Sequence, residues 1–168
     1  YTKTAEQTAD MKAVWGADYD GYLDYVTGWH AQAMHYFADQ PVGRFAFVTT
    51  NSIAQGQPVP ALFGPLHREG WTILFAHRTF AWSSEAPGAA GVHCVIVGFS
   101  KGIPLKGARL FSYERSQGQP VEEPVTAINP YLVEGPWVLV GKRSKPLAQL
   151  PAVLYGCKPA DGGHLVVE

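Results

Sequence analysis

The sequence has no run of the roughly 18 to 20 apolar residues that a membrane helix requires, and nothing in it reads as a signal peptide. No membrane partner is expected, and the expected location is cytoplasmic. Cysteine is scarce: Cys94 and Cys157 form no C-x-x-C pair and no disulfide framework, and both read as reduced thiols. Charge of one sign is missing too, since 13 Lys and Arg against 14 Asp and Glu leave a formal net charge of −1. Polyanion-binding domains usually carry a basic excess or a basic face, so bulk charge does not advertise nucleic acid here. A neutral piece can still belong to a larger protein that binds DNA through another part.

Recognised phosphate cradles are absent. There is no G-x-G-x-x-G after a strand and no G-x-x-x-x-G-K-[ST], and "GAAG" at 88–91 is neither pattern. The six histidines include no H-x-x-x-H, and His30 and His35 stand five apart on a helix, so no metal site is expected. No G-x-S-x-G nucleophile elbow occurs.

What the chain does have is a core-forming composition. With 46% hydrophobic and 16% charged residues over 168 positions, it fits one domain, or one with a partial second. It begins at Tyr1 and not Met, from which we expect a piece of something longer.

"TAEQ" at 4–7 has the spacing of a capping box, with Thr4 as N-cap and Gln7 reaching back, and predicts a short helix through Met11 and Trp15 that ends near Gly16. In "DYDGYLDYVTGWHAQAMHYFADQ" the residues Tyr22, Tyr25, Val26, Trp29, Ala33, Tyr36 and Phe37 step by threes and fours. That spacing predicts one apolar face on a helix of about five turns, stopped by Pro41 and Gly43. "RFAFVTT" (44–50), "WTILFAH" (71–77) and "VHCVIVGF" (92–99) read as strands, and "VPALFGPLHREG" as a helix closed by Gly70. About fourteen residues join the last two strands, too few for a comfortable helical crossover, so antiparallel pairing is expected. Strands alternating with helices imply an α/β sheet. After Lys101 the chain is rich in Gly and Pro, with strands expected at 137–141 and near 164–168, and it reads as a connector.

In open α/β sheets ligands bind beyond the carboxyl ends of the strands. Those ends carry "TTNSIAQGQ" (49–57) and "HRTFAWSSE" (77–85). Thr49, Thr50, Asn51 and Ser52 either perform ordinary turn chemistry or line a pocket. Phe80 and Trp82, expected on a loop, either grip a ligand or pack back onto their own sheet. From the residues alone the chain is part of an α/β ligand-binding domain.

Together, "FVTTNSIAQGQPVPALFGPL", "FAHRTFAWSSEA" and "VHCVIVGF", in this order and spacing, resemble the adenine-specific DNA methyltransferase region of the MmeI-like restriction-modification enzymes of types IIL and IIG. The flanks "EQTADMKAVWG", "DYVTGWHAQAMHYF", "INPYLVEGP" and "PADGGHL" are similar to that family as well, so the likeness spans nearly the whole chain. The resemblance implies the C-terminal half of a Rossmann-like class I methyltransferase sheet with an antiparallel last strand, over residues 1–100. A Gly/Pro-rich connector and the start of target recognition would then occupy 101–168. It further implies S-adenosylmethionine as cofactor and double-stranded DNA as partner of the parent protein. The catalytic tetrapeptide and the glycine-rich cofactor loop would lie before Tyr1, leaving no catalytic residue in this chain. Asn129-Pro130-Tyr131 imitates the tetrapeptide but has one proline and follows the last sheet strand, so we reject it as catalytic.

By the same resemblance Phe80, with Trp82 second, would stack on the extruded target base, one facing it and the other packing inward. Thr50, Asn51, Ser52 and Gln55 would line the pocket, while His77 and Arg78 would approach DNA phosphates or order their segment. Three readings follow: a methyltransferase piece, a non-catalytic scaffold or DNA-recognition fragment without activity of its own, and an unrelated α/β enzyme. Half a sheet leaves an open edge at 44–50, where self-association is expected.

Overall fold

A computed structural model describes residues 2–82, 91–115, 118–143, 145 and 148. The strand expected near 164–168 lies outside them.

The first helix, α1 (Ala5–Trp15), opens on the expected capping box. The Gln7 N–H donates to Thr4 Oγ1 (3.2 Å) and the Thr4 N–H to Gln7 Oε1 (3.0 Å). It stops where Gly16 takes φ +54°. The helix of about five turns does not form. A single 3-10 turn, Tyr25–Thr27, leads instead into the nine-residue α2 (Gly28–Tyr36). Its buried stripe is not the aromatic one either: Thr27, His30, Ala31 and Met34 face inward, while Trp29 is 65% and Tyr36 78% exposed. The physical reason is size. Small residues let α2 lie close on α1, where a Cβ at Gly28 would stand 3.4 Å from the Met11 sulfur. Tyr and Trp carry polar atoms and tolerate a wet surface.

Strand β1 (Gly43–Thr50) follows, then a 3-10 turn at Asn51–Ala54 and α3 (Pro58–Arg68). Pro58 and Pro60 lie in the first helical turn, where a missing N–H costs nothing, and Gly70 (φ +85°) ends the segment as expected. Then come β2 (Trp71–Trp82), β3 (Val92–Lys101), β4 (Ala108–Tyr113) and β5 (Pro120–Val125). They form one sheet in the order β1-β3-β2-β4-β5. Strand β3 runs antiparallel to both neighbours, β2 and β4 are parallel, and β4 and β5 antiparallel.

The expected strand at 137–141 is absent, for residues 137–140 have no strand pairing. Their hydrogen bonding goes elsewhere: the Val140 N–H donates to the Tyr131 hydroxyl (2.9 Å). Strands β4 and β5 were not expected. Their sequences, "ARLFSY" and "PVEEPV", lack a buried apolar run; Pro120 is tolerated as the first residue of its strand, and Pro124 because β5 is an edge among the described residues.

The helices cover one face of the sheet. Phe45, Ile73, Ala76, Val95, Val97, Phe99 and Leu110 point into that layer against Met11, Leu62, Phe63 and Leu66. Phe45 stacks on Phe99 at 4.9 Å between ring centroids. His30 enters the same cluster from α2, edge-on to Phe47 (5.0 Å), Phe99 (5.9 Å) and Phe45 (6.2 Å). On the opposite face Phe75 lies across Gly98 so closely that a Cβ there would fall 2.2 Å from its ring. Glycine at 98 is the condition for that cross-strand contact.

His30 is 1% exposed, and neither ring nitrogen makes a well-formed hydrogen bond among the described residues, although the Val26 backbone comes within reach of the ring. Burial lowers its pKa from 6.5 to about 4, against a weaker upward pull from the Val26 backbone. The unfolded chain therefore binds a proton that the folded chain refuses, and stability drops as pH falls from about 6.5 to about 4. The full loss is about 3 kcal/mol. Urea titrations at several pH values should show it, and His30→Leu should flatten the slope.

Candidate functional site

Alternation along the strands, with one extra residue of β2 between His77 and Phe80, puts Phe75, His77, Phe80 and Trp82 on the face away from the helices, beside Arg109, Phe111 and Tyr113 of β4. Phe80 and Trp82 are thus strand residues at the carboxyl end of β2 and not loop residues. The expectation that only one of them faces outward also fails. Residues i and i+2 of a strand share a face, and the two rings come within 6.3 Å. Trp82 is 47% exposed and Phe80 partly buried. Phe80 is backed by Tyr113, with centroids 5.2 Å apart and planes 28° apart.

The partners of His77 and Arg78 lie within the protein. His77 stacks flat on Phe111 (4.2 Å, 5°), and its Nδ1 is 2.8 Å from the Tyr113 hydroxyl. Partial burial and then the nearby Arg109 cation lower the His77 pKa, so it is a neutral ring at physiological pH. Burial raises the Tyr113 hydroxyl pKa. Arg78 donates from Nε to the Leu132 carbonyl (2.9 Å) and from Nη1 to Ser112 Oγ (3.2 Å). Leu132 holds a left-handed backbone, φ +56°, unusual without glycine. Arg78 therefore ties the end of β2 to the turn that follows β5.

In that turn Asn129 Oδ1 accepts from the Tyr131 N–H (2.9 Å), and the Leu132 N–H returns to the Asn129 carbonyl (2.9 Å). Its carboxamide oxygen is thus committed to an Asx-type turn.

The hydroxyl cluster lies at the carboxyl end of β1. Ser52 Oγ donates to Asp24 Oδ2 (2.5 Å), and Thr50 Oγ1 lies 2.8 Å from Ser52 Oγ. Asp24, Tyr25, Val26, Thr50 and Ser52 line an open cleft of about 460 Å³. Asn51 only begins the following 3-10 turn, and Gln55 is exposed. Neither is among the lining residues described. Cross-strand register relates the two groups: Cys94 of β3 pairs with Thr50 on one side and Phe80 on the other. At the usual strand spacing this puts the hydroxyl and the ring about 10 Å apart on one face. Burial raises the pKa of the Cys94 thiol between them. Asp24 and Tyr113 escape a reading of the sequence because each acts through a partner 28 or more positions away.

The model of the family described as "MmeI, DNA-methyltransferase domain" matches residues 1–112. The chain belongs to this family. As a member of the MmeI methyltransferase-domain family it is 36% identical, over 96% of its length, to a protein named DNA methyltransferase A of Bacillus subtilis (strain 168). Its fold is similar to that of the type IIL restriction-modification enzyme MmeI, solved in complex with DNA. The TM-score is 0.86, with 42% identity over 96% of this chain. The chain spans 18% of the first relative and 22% of the second. It corresponds to a methyltransferase region of an MmeI-like protein.

Replacing Arg78 with Met leaves the Leu132 carbonyl without its donor. The cost should be about 1–3 kcal/mol of unfolding free energy. Hydrogen exchange should show faster amides at residues 128–135 while β1 and β3 keep their protection. Unchanged exchange in that turn would count against the tie.

Proposed function

We propose that this region forms part of an S-adenosylmethionine-dependent DNA methyltransferase that acts on the exocyclic amine of adenine within a cytoplasmic restriction-modification protein. The observation that carries this reading is the aromatic pair at the carboxyl end of β2: Trp82 half exposed, and Phe80 held from behind by Tyr113. An enzyme that modifies a base must extrude it from the duplex. Stacking on an aromatic face holds such a base by roughly 1 to 3 kcal/mol without reading sequence. Phe80 is the main stacking residue in this reading, and Trp82 closes the side of the pocket.

Within that pocket Thr50 and Ser52 form the polar wall, with Asp24 fixing the direction of their hydroxyls. Asn51 and Gln55 are secondary to them. None of these side chains acts as a base; their work is to orient and to exclude water. The bonds of His77 and Arg78 favour ordering the end of β2 over contact with phosphates. The arrangement of β3 between parallel β1 and β2 supports the class I methyltransferase sheet with an antiparallel last strand.

When bound, the cofactor supplies the activated methyl group. The residues described here do not by themselves fit it. No glycine-rich turn follows a strand among them, and the hydroxyls at the end of β1 are bonded to one another and to Asp24.

A second reading, a scaffold without binding of its own, is favoured by the formal charge of −1 and the internal engagement of His77 and Arg78. Transfer of labelled methyl groups to mixed-sequence duplex DNA separates the two. The comparison is between this chain and one extended upstream and downstream to the length of its relatives. Transfer onto adenine by the extended chain is expected. In it Phe80→Ala should lower transfer about tenfold, with a smaller proportional loss of folding stability. Equal losses would return Phe80 to the core, and no transfer by either chain would favour the scaffold.

We propose also that the isolated chain self-associates through β1, whose outer side has no strand partner among the described residues. Sedimentation velocity at micromolar concentration should show species above the monomer, and a clean monomer would argue against it.

A further inference from the structure

On the open face of the sheet four rings form a connected chain that crosses from β2 to β4 and back. Phe111 stacks on His77 at 4.2 Å. His77 Nδ1 meets the Tyr113 hydroxyl at 2.8 Å. The Tyr113 ring stacks on Phe80 at 5.2 Å. Strand β4 is parallel to β2 here, with Phe111 as the register partner of His77. Tyr113 therefore stands level with the widened stretch of β2 between His77 and Phe80, where the register shifts. A bulge of this kind re-aims the side chain that follows it. In this strand that side chain is Phe80.

We propose that Tyr113 is the positioning residue for Phe80. It occupies one face of the Phe80 ring, and His77 fixes its hydroxyl, so that an extruded purine is offered only the other face. The inference rests on the reading of Phe80 as the stacking residue.

A ring free on both faces would turn about its side-chain bonds and present no single stacking plane. Tyr113 removes that freedom by covering one face with a nearly parallel ring. His77 removes the remaining freedom of Tyr113, because a hydroxyl bonded to a ring nitrogen fixes the tilt of the ring that carries it. His77 is itself stacked flat against Phe111, whose ring in turn lies under the Arg109 guanidinium at 5.8 Å. The consequence is selectivity by shape: a flat base enters on the Trp82 side, and a ring that approaches from the β4 side finds the position filled.

The test uses the full-length parent protein and duplex DNA carrying 2-aminopurine at the methylated position, once that position has been mapped. The fluorescence of 2-aminopurine rises when it leaves the duplex stack and falls when it stacks on another ring. Tyr113→Leu should raise the emission of the bound complex and slow single-turnover methyl transfer about tenfold, with DNA affinity within about twofold. Tyr113→Phe keeps the ring and loses only the His77 bond; its quenching and rate should fall between those of the parent and of Tyr113→Leu. Thermal melting of each variant separates loss of fold from loss of position.

If Tyr113→Leu leaves emission and rate unchanged, the inference is wrong. It is equally wrong if Tyr113→Phe is as impaired as Tyr113→Leu, because the ring then does nothing that the hydroxyl does not. Phe80→Ala is the control for the reading beneath. Should Phe80→Ala leave emission and transfer intact, the stacking role itself fails. Should Phe80→Ala impair both while Tyr113→Leu does not, only the positioning role fails.

Discussion

Everything at the candidate site depends on β3 running antiparallel between two parallel strands. Inserted there, it brings the carboxyl ends of β1 and β2 to the same end of the sheet, separated by its own width. Cys94 then has Thr50 on one flank and Phe80 on the other. A slip of one residue in either ladder would turn Thr50 or Phe80 toward the helices and bury it. Strand β3 is apolar on both faces, and the register is held by Gly98, across which the Phe75 ring lies, together with Val95, Val97 and Phe99 in the core. The position of the aromatic pair is in this sense a by-product of core packing.

The same layer explains why the site can be polar on one side and aromatic on the other. One face of the sheet carries the whole helical layer, including the dry cluster around His30. The opposite face is left to side chains that must satisfy one another laterally. On β1 that neighbour-to-neighbour solution is hydroxyl to hydroxyl to carboxylate, and across β2 and β4 it is ring to ring. Both produce rigid groups without a buried shell around them.

Much of the fold was legible in the sequence where local chemistry decides it. The capping box at Thr4 and Gln7, the apolar runs of β1 to β3, and the glycine stop at Gly70 each act within a few residues. The failures occurred where a tertiary neighbour decides. Trp29 and Tyr36 look like core by spacing, yet the close approach of α1 selects Thr27, Ala31 and Met34. Pro120 and Pro124 read as connector, yet they are tolerated in a strand, one at its first position and the other because that strand is an edge among the described residues. Residues 137–141 read as strand, yet the Tyr131 hydroxyl takes the Val140 N–H. At the site, Phe80 and Trp82 were visible as chemistry, while their shared face and the support from Tyr113 required the β2–β4 register.

The two prolines of β5 have a consequence of their own. Edge-strand prolines stand where the ladder asks for no donor, which is the outward side. Among the described residues β5 therefore presents an edge interrupted at two positions that offer no N–H, while β1 contains no proline. The sheet thus has two unlike margins, one interrupted by proline at β5 and one at β1 that ends beside the hydroxyl cleft. A strand added along β1 would meet an unbroken row of backbone groups, and its end would lie beside Thr50 and the turn that carries Ser52.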